Sequence, residues 1–184
     1  MLKQPLAYPR AMSIDISESR EHLLEFLRNN RVGVLATASN LGKPHAATIY
    51  IAFDQELNIY FVTRKGTQKS HNLKDNNQAA LAIYNAALQT TLQAEGTAIE
   101  VSDSSKIQWI FNEIWQVATQ ISPNNPPPQT QLMGAGDYIV YKLSAPSIRL
   151  ATYNTQQSSA TNDIFTIIPT QPNAHFNAYD KRTN

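Results

Sequence analysis

The chain has 184 residues, 42% hydrophobic and only 16% charged, with 15 basic residues against 14 acidic ones. This suits one ordinary domain with a real core, and the balanced charge argues against a dedicated nucleic-acid or anionic-membrane binder. No cysteine is present, which excludes disulfides, thiolate metal sites and a cysteine nucleophile and fits a reducing compartment.

Residues 1–16 contain Pro5 and Pro9 and no continuous apolar run, so they read as an irregular arm and not as a signal peptide. No later apolar stretch is long enough to span a bilayer, and a cytoplasmic location is expected. A helix follows, with Ser17 as its N-cap and Glu18 and Glu21 in the first turn, where the helix dipole favours negative charge. Leu23, Leu24, Phe26 and Leu27 give it an apolar face, and Asn29-Asn30 ends it.

Three strands come next, over 31–38, 44–53 and 57–64, separated by turns too short for anything but an antiparallel meander. Thr67–Asn76 reads as a short helix. Two more strands cover 79–87 and 91–101; Gly96 interrupts the second and predicts a bulge or sharp bend of the kind that lets a barrel close. Ser102 or Asp103 then caps a helix running to about Gln120. Its apolar residues, among them Ile107, Trp109, Ile110, Phe111, Ile114, Trp115 and Val117, cover more than one face. Such a helix is packed within the chain or against another subunit.

Ser122–Gln131 carries three consecutive prolines and is a loop. Asp137–Leu143 and Ser147–Tyr153 read as a closing hairpin around Ala145-Pro146. Beyond Asn154 the composition turns polar, with one apolar island, Asp163–Pro169, that can dock as a strand. The domain plan is therefore an arm over 1–16, a domain over 17–154 and a polar extension over 155–184. About seven strands with few helices predict a mainly β fold, a closed or partly open antiparallel barrel with flanking helices.

The richest stretch chemically is Thr63–Leu73, TRKGTQKSHNL. It runs from a strand end into a short helix and carries Arg64, Lys65 and Lys69 with the hydroxyls of Thr63, Thr67 and Ser70. A lysine in a first helical turn opposes the dipole. A bound anion would reverse that cost, and free backbone N–H groups with nearby cations make a phosphate cradle. On spacing alone, a solvated lysine-rich turn explains the same residues. Other sites fare worse. His22, His45, His71 and His175 show no metal-ligand spacing, so no metal is expected. There is no nucleophile elbow, no Walker loop and no dinucleotide fingerprint.

The order of these segments carries more information than any one of them. A helix leads into GVLATASNLGKPHAATIYIAF, then LNIYFVTRKGTQKSHNLKDNNQAALAIYN, then TLQAEGTAIEV, with YIVYKLSAPSIRLATY closing the domain. Over roughly residues 17–154 this resembles the pyridoxamine 5'-phosphate oxidase-like, FMN-binding split-barrel superfamily. The resemblance implies an antiparallel split β-barrel and a homodimer with two cofactor sites at the subunit interface. Thr63, Arg64 and Lys69 would hold the FMN phosphate. The strand Ala47–Ile51 would lie along the ribityl chain and ring, with Thr48, Ile49 and backbone groups in contact, and Thr91 or Gln93 would reach the flavin. The implied function is an FMN-dependent oxidoreductase acting on a small molecule, with no catalytic residue assigned because the flavin carries the chemistry. The alternative is a non-enzymatic carrier of flavin, deazaflavin or haem, with His45 or His71 as first axial-ligand candidates. The chain departs from the oxidases that make pyridoxal phosphate in lacking their closing tryptophan- and arginine-containing segment. Gln68 stands where those enzymes have a second basic residue.

Overall fold

A computed structural model describes residues 16–124, 136–153 and 165–170. The N-terminal arm, most of the proline loop and most of the polar extension lie outside the described residues. Three helices and eight strands follow one another as α1 (Ile16–Asn29), β1 (Val32–Ala38), β2 (Pro44–Phe53), β3 (Ile59–Arg64), α2 (Gln68–Asp75), β4 (Gln78–Asn85), β5 (Thr90–Glu100), α3 (Ser104–Ile121), β6 (Tyr138–Ser144), β7 (Ser147–Thr152) and β8 (Phe165–Pro169). Helix α1 begins two residues earlier than expected, at Ile16, so Ser17 lies inside its first turn and is not its cap. The apolar island at 165–169 does form a strand, and Ile168 is 1% exposed.

All ladders are antiparallel, and six strands close into a barrel in the order β4-β1-β2-β3-β6-β5, with β5 pairing back onto β4. Inward positions alternate with outward ones, as a half-buried strand requires. In β1, Leu35 and Thr37 point in while Val34 and Ala36 point out. Leu35, Ile51, Ile59, Phe61, Leu81, Ile83 and Leu92, each at most 2% exposed, fill the interior, so the barrel is a packed core and not a channel.

The predicted hairpin around Ala145-Pro146 does not form. β6 and β7 never pair with each other; both lie along the same edge of β5. Ser144 sits opposite Thr97 and Ile148 opposite Ala94, so Ala145, Pro146 and Ser147 face only Glu95 and Gly96. This is a one-residue bulge, where a proline that can donate nothing to a ladder is tolerated. A proline between two strand patterns imitates a turn, which is why the sequence suggests a hairpin. Gly96 lies where the bulge presses closest. A Cβ there would stand 2.2 Å from the Ser144 carbonyl oxygen and 2.8 Å from the Ala145 Cα.

The helices close and brace the barrel. α1 buries Leu23, Leu24, Phe26 and Leu27 in the main core. It lies at the end that carries the β2–β3 and β4–β5 turns, where Arg20 donates to the Gln55 carbonyl and the Asn85 amide donates to Asn30 at 2.8 Å. α2 lies at the opposite end. α3, capped by Asp103 through the Lys106 N–H, lays Ile110 and Ile114 against Ala52, Tyr60 and Val140 on the outer face. Lys106 pins it there, 3.3 Å from the Asp54 carboxylate and over the rings of Tyr60 and Trp109 at 4.8 and 4.4 Å. Burial would raise the Asp54 pKa, but hydrogen bonds from Tyr60, Asn58 and Lys106 outweigh it and hold the carboxyl below its ordinary value. One face of α3 is thus packed within the chain, while Trp115 and Ile121 stay 39% and 56% exposed.

Gly96→Ala is expected to destabilise the fold by about 3 kcal/mol or more, because backbone and not a flexible side chain occupies the space. Gly42→Ala, at a left-handed turn position (φ 79°) with nothing within 4 Å, should cost only about 1–2 kcal/mol. Urea unfolding of the two variants checks the ranking.

Candidate cofactor site

The β3–α2 turn builds the site from local interactions. Gly66 supplies the left-handed conformation (φ 79°) that reverses the chain after Arg64-Lys65. Thr67 caps α2: its hydroxyl accepts from the Ser70 N–H at 3.3 Å and donates to the Arg64 carbonyl at 3.0 Å. Thr63, 2% exposed at the end of β3, meets the same hydroxyl at 3.0 Å. Lys65 is held away from the helix, its N–H on the Asp137 carbonyl at 2.8 Å and its ammonium on the Gly136 carbonyl at 2.9 Å.

That leaves two cations uncommitted. Arg64 is exposed, and Lys69 in the first turn of α2 is half-buried. Neither makes an ion pair among the described residues. Burial lowers the Lys69 pKa below its ordinary 10.5, as expected for an ammonium deprived of water with no carboxylate in exchange. With the helix dipole also opposed to it, Lys69 is electrostatically poorly placed in the protein by itself. A bound dianion would remove both penalties.

The barrel is split beside this turn. β2 and β3 pair only over Ile51–Phe61, Ala52–Tyr60 and Phe53–Ile59. Continued, that register would set Thr48 opposite Arg64; instead the strands part, and the first half of β2 pairs on its other side with β1 alone. Helix α2 crosses this region in contact with β1, β2 and β3, burying Leu73. Thr48 is exposed on the outer face, directly across from Val34. Ile49 is 6% exposed and points inward, so on the outer face it offers only backbone. Around Thr48 the outer surface is apolar and uncovered: Val34 is 45% and Tyr84 63% exposed, and Ala36, Ala46 and Ala82 are exposed between them.

Thr91 and Gln93 are placed elsewhere. Both point outward from the half of β5 that pairs with β7, and they face Tyr84 and Ala82 on β4. That half leads to the α1 end of the barrel, whereas Arg64 and Lys69 sit at the α2 end. One chain therefore gathers Thr63, Arg64 and Lys69, sets Thr48 on the adjoining strand, and keeps Thr91 and Gln93 apart from them.

A cleft of about 670 Å³ flanks the turn, lined by residues including Ser70, His71, Lys74, Glu100 and Tyr141. Burial and the Glu100 charge raise the Tyr141 pKa. The cleft does not include Arg64 or Lys69. His71 is exposed on α2; His45 is half-buried on β2, with its Nδ1 enclosed and unbonded. No group of three metal-ligating side chains occurs among the described residues, and no helix among them is long and apolar enough to cross a membrane.

A six-stranded antiparallel barrel, parted beside a strand–helix turn rich in hydroxyls and cations, defines a split-barrel protein of the pyridoxamine-phosphate-oxidase type. Residues 19–158 match the family model described as pyridoxamine 5'-phosphate oxidase, and the chain belongs to that family. A 70-residue segment is 36% identical to the pyridoxine/pyridoxamine 5'-phosphate oxidase of Rubrobacter xylanophilus, covering 38% of this chain and 32% of that protein. The match thus spans about a third of the relative's length. General Stress Protein 26 of Bacillus anthracis shares the fold at a TM-score of 0.54 and 20% identity, over 72% of this chain and 93% of that one. A heme binding protein from Mycobacterium smegmatis does so at 0.58 and 14%, over 88% and 60%.

The uncompensated lysine generates a prediction for the ligand-free protein. A lysine whose pKa is lowered in the fold destabilises it fully below the lowered value. The deficit disappears as pH rises through that value to 10.5. Lys69→Met should therefore raise the Tm at pH 7, and its advantage over wild type should shrink across that alkaline window. Added inorganic phosphate should raise the Tm of wild type and leave that of Lys69→Met unchanged.

Proposed function

We propose that this protein is an FMN-binding flavoprotein, an oxidoreductase acting on a small molecule, whose Thr63, Arg64 and Lys69 hold the flavin phosphate. The observation that carries this reading is Lys69: a half-buried cation in the first turn of a helix, without a counter-ion among the described residues, one turn from Arg64 and the Thr63–Thr67 hydroxyl pair. A dianionic phosphate satisfies such a group, and a neutral or cationic ligand does not. The parted β2 edge gives a polar ribityl chain backbone partners near Thr48 and Ile49. The apolar outer sheet beyond suits a flat ring. Bound FMN would supply the redox chemistry, and the chain's own residues bind and orient it.

The same reading includes a homodimer. In one chain two strands, β1 and β4, separate Thr91 and Gln93 from Thr48, and a second copy docked on this face would bring its own pair toward the flavin. The uncovered surface of Val34, Ala36, Ala82 and Tyr84 is the kind of face that two copies bury against each other.

The alternative is a carrier without turnover, of flavin, deazaflavin or haem. The haem version draws on His45, whose enclosed Nδ1 has no hydrogen bond; a Soret band unchanged by His45→Ala/His71→Ala would dispose of it.

The visible spectrum of the purified protein after FMN addition and removal of excess tests the main reading. Wild type should retain a flavin spectrum, and Arg64→Ala/Lys69→Ala should lose it, with affinity lower by about 100-fold for two charge-assisted contacts. A wild type that retains no FMN would overturn the assignment. Retained flavin that neither NAD(P)H nor any other donor reduces would favour the carrier.

A further inference from the structure

We infer that the buried Asn72–Thr37 hydrogen bond is the positioning device of the phosphate cradle, and that it presents Gln68 as the cradle's neutral donor; this rests on the FMN reading above. Asn72 is 2% and Thr37 4% exposed. They meet side chain to side chain between α2 and β1, Asn72 Nδ2 donating to Thr37 Oγ1 at 3.1 Å. Burying an amide where Leu73 and Leu35 supply an apolar setting costs free energy unless every group is used. Here the other half of the amide is used as well. Asn72 Oδ1 accepts from Gln68 Nε2 at 2.9 Å, one helical turn away.

The chain of bonds has a direction. Thr37 is fixed in the barrel wall, paired with His45 on one side and Ala79 on the other. Asn72 donates to it, so its oxygen is left as the acceptor for Gln68. Gln68 must then turn its NH2 group inward, which commits one N–H to Asn72 and leaves the second free. Gln68 directly precedes Lys69 and is exposed, so that second N–H stays in the first turn of α2, the turn that also carries the uncompensated lysine. A glutamine there gives a hydrogen bond without adding a third cation to Arg64 and Lys69. Thr37 and Asn72 are positioning residues, since neither is placed to touch the ligand.

The inference separates from a merely structural role because replacing both buried partners by apolar groups of the same shape can leave stability nearly unchanged. Thr37→Val alone strands the Asn72 amide and should lower the Tm. Thr37→Val/Asn72→Leu should recover that Tm yet bind FMN about tenfold more weakly than wild type. Its affinity for riboflavin, which lacks the phosphate, should stay at the wild-type level. Gln68→Ala reads the same arm from its exposed end: FMN should weaken several-fold while riboflavin stays at the wild-type level, and the Tm should fall because Asn72 Oδ1 loses its donor. Titration of both ligands by flavin fluorescence gives the four affinities. Wild-type FMN affinity in the double variant or in Gln68→Ala, or FMN and riboflavin weakened equally, would overturn the inference alone. A wild type that binds FMN no better than riboflavin would overturn the cradle itself, and the inference with it.

Discussion

No side chain fits at Gly96, where a Cβ would come within 2.2 Å of the Ser144 carbonyl oxygen. That closeness is the point at which β5 changes neighbour on one edge, from β7 along Thr90–Ala94 to β6 along Thr97–Glu100, while its other edge stays on β4. One strand thereby belongs to the barrel and to the two-stranded extension at once. Without it, β4 and β6 would be open edges, and an open edge is both an unsatisfied ladder and an aggregation surface. The bulge at Ala145-Pro146 and the missing side chain at Gly96 are two halves of one accommodation.

Closure at that seam lets the barrel part at another. Between β2 and β3 the ladder stops at Ile51–Phe61, and α2 lies across the gap. The turn that delivers α2 is made from its own residues: Thr63, Thr67 and Ser70 join hands over three hydrogen-bonding groups, and Gly66 makes the reversal. A rigid floor of this kind would suit the proposed anion site, because the Thr63 and Thr67 hydroxyls and the backbone of the turn are already held in place and need little ordering on binding. Lys65 is tied back to Gly136 and Asp137, so the charge left facing outward is confined to Arg64 and Lys69.

Much of this was legible in the sequence where the information is local. Strand alternation and helical spacing placed every helix, and seven strands within a residue or two, because a single periodicity fixes each one. The Thr63–Lys69 cluster could be read for the same reason: its members share one turn. The features that escaped are non-local. PHAATIYIAF reads as one uninterrupted strand, and nothing in it says that its first half loses β3 as a neighbour. The exchange of β7 for β6 along β5 depends on a one-residue offset between segments about fifty positions apart, and the proline there imitated a hairpin. Thr37 and Asn72 are ordinary residue types for a strand and a helix, and only the fold brings them within 3.1 Å.

The last described strand has a temporal consequence. β8 pairs along β7 and touches α1, and its Ile168 joins the same core as Leu23 and Leu27. Helix α1 leaves the ribosome well before β8, so the apolar face of α1 stays incompletely covered until β8 has been synthesised. Contacts of such long sequence separation form late and slow folding. A nascent chain halted before Phe165 would carry the whole β3–α2 turn on a barrel whose first helix is still waiting for β8.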